Sequence, residues 1–232
     1  MKNIAYIFLL IVFGFALGAC EKDNYEPPNA LLSGKLLYQG EAIGLQYDRV
    51  SYELYQDGFG KTGPISSTFT TEGAFSQLLF NGTYKMVVPR GQGPFLWGED
   101  IDQADTLLIH VNAETEQNIE VIPYWLIRNT TMAATANKVS ANFSLEQIVT
   151  NNLARNIEHA TLYVSKTSFA SPETNIATAM LEGDNITNLE NVALQLEVPE
   201  MVPTQDYVFA RVGLKFIGVD DMIFSDIQKL TL

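Results

Sequence analysis

The chain has 232 residues, of which 27 are acidic and 14 basic, for a formal net charge of −13. That charge repels phosphate backbones and anionic head groups, so nucleic acid is excluded as a partner. Hydrophobic content of 47% and charged content of 18% point to folded globules, and the length suits two ordinary domains.

The first element is an export leader. A short basic start, Met1-Lys2-Asn3, precedes an apolar run from Ile4 to Phe15 and then Leu17-Gly18-Ala19-Cys20. The run is too short to cross a bilayer stably, and small Gly18 and Ala19 suit a signal-peptidase cut. Residues 1–19 therefore read as a lipoprotein signal peptide. Cys20, the only cysteine, is the thiol expected to take the diacylglycerol and tie the protein to a membrane. Once it is acylated no thiol remains for a disulfide or a zinc site. Residues 20–29 are polar and proline-containing and read as an extended tether. Glu21-Lys22-Asp23 resembles the surface-export signal of lipoproteins in gut polysaccharide-degrading anaerobes. That resemblance implies an outer-membrane anchor with the protein facing outward.

From Ala30 onward the apolar period is two. Val50, Tyr52 and Leu54 alternate with Ser51, Glu53 and Tyr55, and Tyr84, Met86 and Val88 with Thr83, Lys85 and Val87. The same holds for Val139, Ala141, Phe143 and Leu145, and for Val208, Ala210, Val212, Leu214 and Phe216. One apolar face per strand is the mark of packed sheets. Turn signals such as Asp57-Gly58, Glu72-Gly73, Asn81-Gly82 and Gly218-Val219-Asp220-Asp221 separate the runs, as hairpins and Greek-key crossings require. Helical periodicity is missing, apart from a turn or two available to Leu145–Leu153. Pro123 cannot donate to a ladder and marks the boundary. The expected architecture is all-β: two tandem Greek-key β-sandwiches, at residues 30–124 and 125–232.

Leu32-Ser33-Gly34-Lys35-Leu36 and Gly73-Ala74-Phe75 resemble carboxypeptidase-regulatory-like, prealbumin-type β domains, which implies that fold for the first sandwich and an Ig- or fibronectin-like partner after it. Asn81-Gly82-Thr83-Tyr84-Lys85, Gly93-Pro94-Phe95, Val121-Ile122-Pro123-Tyr124 and Ala210-Arg211-Val212-Gly213, in that order, resemble an uncharacterised two-domain lipoprotein family. Its members are encoded beside starch-utilisation-system-type transporter and glycan-receptor pairs. The resemblance implies a carbohydrate-uptake setting, with polysaccharide and an outer-membrane transporter as partners, and carries over no catalytic residues.

The residues themselves offer one binding constellation. Arg90–Asp105 is irregular and holds Phe95, Trp97, Glu99, Asp100, Asp102 and Asp105. Aromatic faces for the C–H side of a pyranose and planar acceptors for its hydroxyls are what sugar recognition needs. The alternative is that Phe95 and Trp97 plug the end of the sandwich, since large aromatics are usually buried. These acids, or Asp220-Asp221, could hold Ca²⁺, but neither has EF-hand spacing and solvated acidic loops are the expectation, so no cofactor or metal is assigned. Neither His110 nor His159 lies in a catalytic motif, and no enzyme is expected. Tyr55 and Tyr163 fall on outward parities, and Arg211 and Lys215 read as sheet-surface charges. Asp105-Thr106-Leu107 resembles the motif O-glycosylated on exported proteins of the same anaerobes, which makes Thr106 a modification candidate. The reading is a non-catalytic surface lipoprotein that assists polysaccharide capture. The rival is a structural or protein-binding module with no sugar site.

Overall fold

A computed structural model describes residues 26–58 and 63–232; the leader, Cys20 and Glu21–Asp23 lie outside them. The N-terminal half lays down β1 (Ala30–Tyr38), β2 (Glu41–Ala42), β3 (Gly44–Leu45), β4 (Ser51–Gln56), β5 (Ile65–Thr68) and β6 (Ala74–Leu79). It continues with β7 (Gly82–Val87), β8 (Phe95–Leu96), β9 (Leu107–Val111), β10 (Glu114–Glu116), β11 (Ile119–Glu120) and β12 (Ile122–Pro123). β1 is the hub of one sheet, antiparallel to β6 and β2 and parallel to β10 and β11. The parallel pairs are not hairpin-connected; they need the long return through β4–β9 that periodicity alone does not show. The other sheet is antiparallel, in the order β5-β4-β7-β9. Both sheets bury their alternate residues, among them Leu32, Leu36, Tyr52, Leu54, Phe75, Tyr84 and Met86. Tyr84 also donates its hydroxyl to the Phe80 carbonyl at 3.0 Å, four residues upstream, as a tyrosine corner does.

The C-terminal half forms a second sandwich from β13 (Trp125–Thr135), β14 (Lys138–Gln147), β15 (Ile157–Ser165), β16 (Ala177–Glu182), β17 (Val192–Glu197), β18 (Tyr207–Phe216), β19 (Ile223–Phe224) and β20 (Gln228–Thr231). One sheet runs β13-β14-β17; the other runs β16-β15-β18-β19-β3, with β20 also on β18. No helix follows β14 in Leu145–Leu153. Instead the N–H groups of Ile148 and Val149 both donate to the Tyr124 carbonyl, at 3.1 and 3.2 Å. Helical structure among the described residues is limited to two short 3-10 turns, Gly98–Ile101 and Gly183–Asn185. None is long and apolar enough to cross a membrane.

The last strand of the second sheet comes from the first sandwich. Gly44 pairs with Phe224 and Leu45 with Ile223, so a ladder crosses the seam. Gly44 permits this approach, because a Cβ there would sit 2.3 Å from the Phe224 carbonyl oxygen. Asp221 accepts the buried Gly93 N–H at 2.7 Å, and Arg128 joins Glu41 of the first sandwich to Glu146 of the second. Tyr124 and Trp125 are buried at the junction, with the Trp125 indole N–H donating to the Arg155 carbonyl at 2.8 Å. One continuous apolar core runs through both halves.

Two parity readings are corrected here. Arg211 is not a surface charge but is 2% exposed, the largest fully buried side chain. Its Nε donates to the Ser225 carbonyl at 3.2 Å and its Nη1 to the Leu45 carbonyl at 3.1 Å, with the guanidinium 4.2 Å from the Phe224 ring centroid. Burial pulls its pKa down to about 10, against the favourable field of Glu72 and Asp226. Tyr163 is likewise buried, with Ala170, Met222 and Phe224 in a small second cluster. Both residues do point away from the main core, as alternation requires, but Phe224 packs on both, with Ala170 and Met222 beside Tyr163 and the Ser225 and Leu45 carbonyls around Arg211. Gly213 makes the cover possible, since a Cβ there would lie 2.7 Å from the Phe224 ring. Tyr55 does face solvent, and its hydroxyl donates to the Glu53 carboxylate.

Candidate functional site

The chain between β7 and β9 turns at Pro89–Gln92, makes the short strand β8, and then folds a 3-10 turn at Gly98–Ile101. Trp97 is the extended residue ahead of that turn, and Asp102 ends it in the left-handed region at φ 58°. Gly98, at φ 63°, is essential to the loop, because a Cβ would sit 2.1 Å from Asp105 Oδ1. That oxygen accepts the Glu99 N–H at 2.8 Å. Asp105 Oδ2 accepts from Arg90 Nη2 at 2.8 Å, and the same nitrogen donates to Glu99 Oε2 at 2.8 Å. Gln92 Oε1 accepts the Ser51 N–H at 3.1 Å, which ties the loop to β4.

These residues enclose a cavity of about 300 Å³. Phe95, Trp97, Glu99 and Asp100 line it, joined by Arg90, Gln92 and Asp105. Phe95 is 4% exposed, with its ring where a Gly93 side chain would otherwise stand, so it is a packed wall and not an open platform. Trp97 is half-buried against the core. Its indole nitrogen is buried with no hydrogen-bond partner among the described residues. Asp102 is exposed and lies outside the cavity wall. Thr106 is exposed just before β9.

Electrostatically the site centres on Arg90. Hydrogen bonds and charge from Asp105, then Glu99, push the guanidinium's pKa above its usual value. The reciprocal bond from Arg90, with the Glu99 N–H, holds the Asp105 carboxyl below the usual carboxylate range. Arg90 Nε and Nη1 and the Asp100 carboxylate make no hydrogen bond among the described residues, so donors and an acceptor stay open at the cavity. Arg90 is the member that the sequence reading passed over. A lone cation opening an acid-rich loop was its only signal.

Among the described residues no three His, Cys, Asp or Glu side chains converge as a metal site. Asp105 is engaged by Arg90, and Asp221 by the Gly93 N–H. His110 Nδ1 lies 3.2 Å from Thr83 Oγ1, and His159 Nδ1 lies 3.0 Å from Thr161 Oγ1. Burial lowers the His159 pKa. Neither histidine meets a carboxylate at hydrogen-bond distance among the described residues.

The fold and loop define an all-β protein of two sandwiches joined by a shared sheet, with a small polar–aromatic cavity at a loop. Two family models divide the chain: a protein of unknown function (DUF3823), N-terminal domain, matches residues 30–122, and a domain of unknown function (DUF3823_C) matches 125–229. The chain belongs to the DUF3823 family. A solved DUF3823 protein from Bacteroides ovatus ATCC 8483 is 30% identical, with TM-score 0.75 over 88% of this chain and 99% of that one. Another, from Parabacteroides merdae ATCC 43184, is 30% identical, with TM-score 0.76 over 89% of this chain and 100% of that one. A Bacteroides uniformis ATCC 8492 structure shares the fold at 14% identity, with TM-score 0.67 over 88% of this chain and 100% of that one; it is described as a candidate carbohydrate-binding protein. No curated protein matches the chain. The four motifs that carried the family resemblance now have physical roles. Asn81 Oδ1 accepts the Ala113 N–H at 3.1 Å, and Gly93, Tyr124 and Arg211 each help to build the seam.

Proposed function

We propose that this protein is a non-catalytic, lipid-anchored carbohydrate-binding protein of the outer membrane, which captures polysaccharide at the cell surface for a transporter. The observation that carries the reading is the Trp97–Arg90 cavity. It joins an aromatic face, a buried indole N–H, guanidinium donors and the Asp100 carboxylate, the last three with groups unbonded among the described residues. A pyranose presents an apolar C–H face and a rim of hydroxyls, which such a mixture matches. Its volume of about 300 Å³ is at the lower end for ligand pockets and suits one sugar ring at a time. Weak single contacts would gain strength from many anchored copies. The description of the distant Bacteroides uniformis relative points the same way. The anchor and its facing rest on Leu17–Asp23; acyl mass on Cys20 and protease shaving of intact cells test them.

Binding of the residue 21–232 protein to a printed glycan array, repeated with two variants, tests the site. Arg90→Ala removes a fully exposed cation, so melting should be unchanged while affinity falls. Trp97→Ala should lower affinity about tenfold. Because the ring is half-buried, it should also cost about 2 kcal/mol of stability. Glycan affinity unchanged in a folded Arg90→Ala protein would remove the cavity from consideration. The rival reading, a protein-binding module, draws on Leu78 and Leu108, which are 60% and 66% exposed. Charged substitutions there that leave glycan binding intact but abolish capture of a neighbouring lipoprotein would favour it.

A further inference from the structure

Large aromatic side chains seldom stand free in water. Yet Tyr47 of the first sandwich and Phe169 of the second are 54% and 43% exposed and meet across the seam, with ring centroids 4.6 Å apart and planes 50° apart. They border a cavity of about 230 Å³ that Gln46, Arg49, Ser171 and Glu173 also line. The polar groups are held in place. Gln46 and Ser171 are each 5% exposed, and they donate to the same Glu173 oxygen, Oε2, at 2.6 and 3.0 Å. Glu173 Oε1 is left without a hydrogen bond among the described residues, as is the Arg49 guanidinium. Asp48, between Tyr47 and Arg49, is in the left-handed region at φ 56° and accepts the Thr68 hydroxyl at 3.1 Å.

We infer that this cleft is a second saccharide site, in which one neutral pyranose ring stacks on Tyr47 and Phe169 while Glu173 and Arg49 meet its hydroxyls. The inference rests on the glycan-binding reading but not on the Trp97 cavity. An aromatic pair at the mouth with a pre-set acceptor beside it and an open donor opposite is the chemistry of a ring that is apolar on its face and polar at its rim. The site is built from both sandwiches, so an occupant would contact residues far apart in the chain and stabilise the seam by mass action. Two sites on one chain would also let a polymer engage twice, multiplying affinity beyond either contact.

The test uses the residue 21–232 protein, an array of neutral pyranose oligosaccharides, and the variants Tyr47→Ala, Phe169→Ala and Arg90→Ala. Both rings are exposed, so the first two variants should melt like the parent. Each should weaken binding of long oligosaccharides about tenfold. A hit oligosaccharide should raise the melting temperature of the parent more than that of Phe169→Ala. Binding that is indifferent to Tyr47→Ala and Phe169→Ala but lost in Arg90→Ala would overturn this inference and leave the loop cavity standing. Binding lost in the two aromatic variants but kept in Arg90→Ala would do the reverse. An array on which the parent binds no glycan would overturn both.

Discussion

Arg90 and Arg211 carry the same guanidinium into opposite surroundings. Arg90 stands in water between two carboxylates, which favour its charge. Arg211 lies inside the seam against two backbone carbonyls and an aromatic ring, where lost hydration outweighs its distant acidic neighbours. The first arrangement keeps donors open at a cavity and adds little to stability, since exposed ion pairs are worth roughly 0–1 kcal/mol. The second commits Nε and Nη1 to backbone carbonyls that hold the seam together.

The comparison is most easily broken at the seam. Arg211→Ala should leave the Leu45 and Ser225 carbonyls short of a donor and open a void, costing about 3–5 kcal/mol in denaturant unfolding. Arg211→Met should regain part of the packing and lose less. A variant as stable as the parent would mean that the buried guanidinium does not hold the seam. Gly44→Ala should cost about 1–3 kcal/mol, because its Cβ would press on the Phe224 carbonyl and backbone cannot swing aside. Unfolding that splits into two transitions in this variant would show that the shared ladder couples the sandwiches.

The smallest effect belongs to the loop. Asp105 has a folded pKa below its unfolded value, so its contribution is present above about pH 4 and is lost as pH falls through the lower folded value. Amide chemical shifts of Glu99 and Trp97 should follow that titration while those of Arg211 stay fixed. Loop shifts that do not respond to acid would separate Asp105 from the shape of the cavity.

The sequence showed which residues share a strand face but not which faces are covered. Alternation placed Tyr52, Tyr84, Phe143 and Val212 in the core, where they are. It also assigned Arg211 and Tyr163 correctly to the other face, but whether that face meets water depends on residues distant in sequence, Leu45 for Arg211 and Ala170, Met222 and Phe224 for Tyr163. The nearest local hint was Gly213, a residue with no side chain inside the ten-residue strand β18. The loop was legible because its aromatic and acidic residues lie within one short stretch. The Tyr47–Phe169 pair was not, since its halves belong to different sandwiches and neither stands in a motif.

The shared ladder also sets an order of events during folding. Arg211 and its acceptor Leu45 are 166 residues apart in sequence. Closing so long a loop is slow and entropically costly, and early-synthesised domains fold before later ones appear. Until almost the whole chain has followed, the first sandwich therefore lacks the β19 partner of its Gly44–Leu45 edge and the Arg211 donor to the Leu45 carbonyl. Such an edge is open to pairing with another copy. A newly made chain is thus most vulnerable to misassembly in that interval, and completion of its final strands is what ends it.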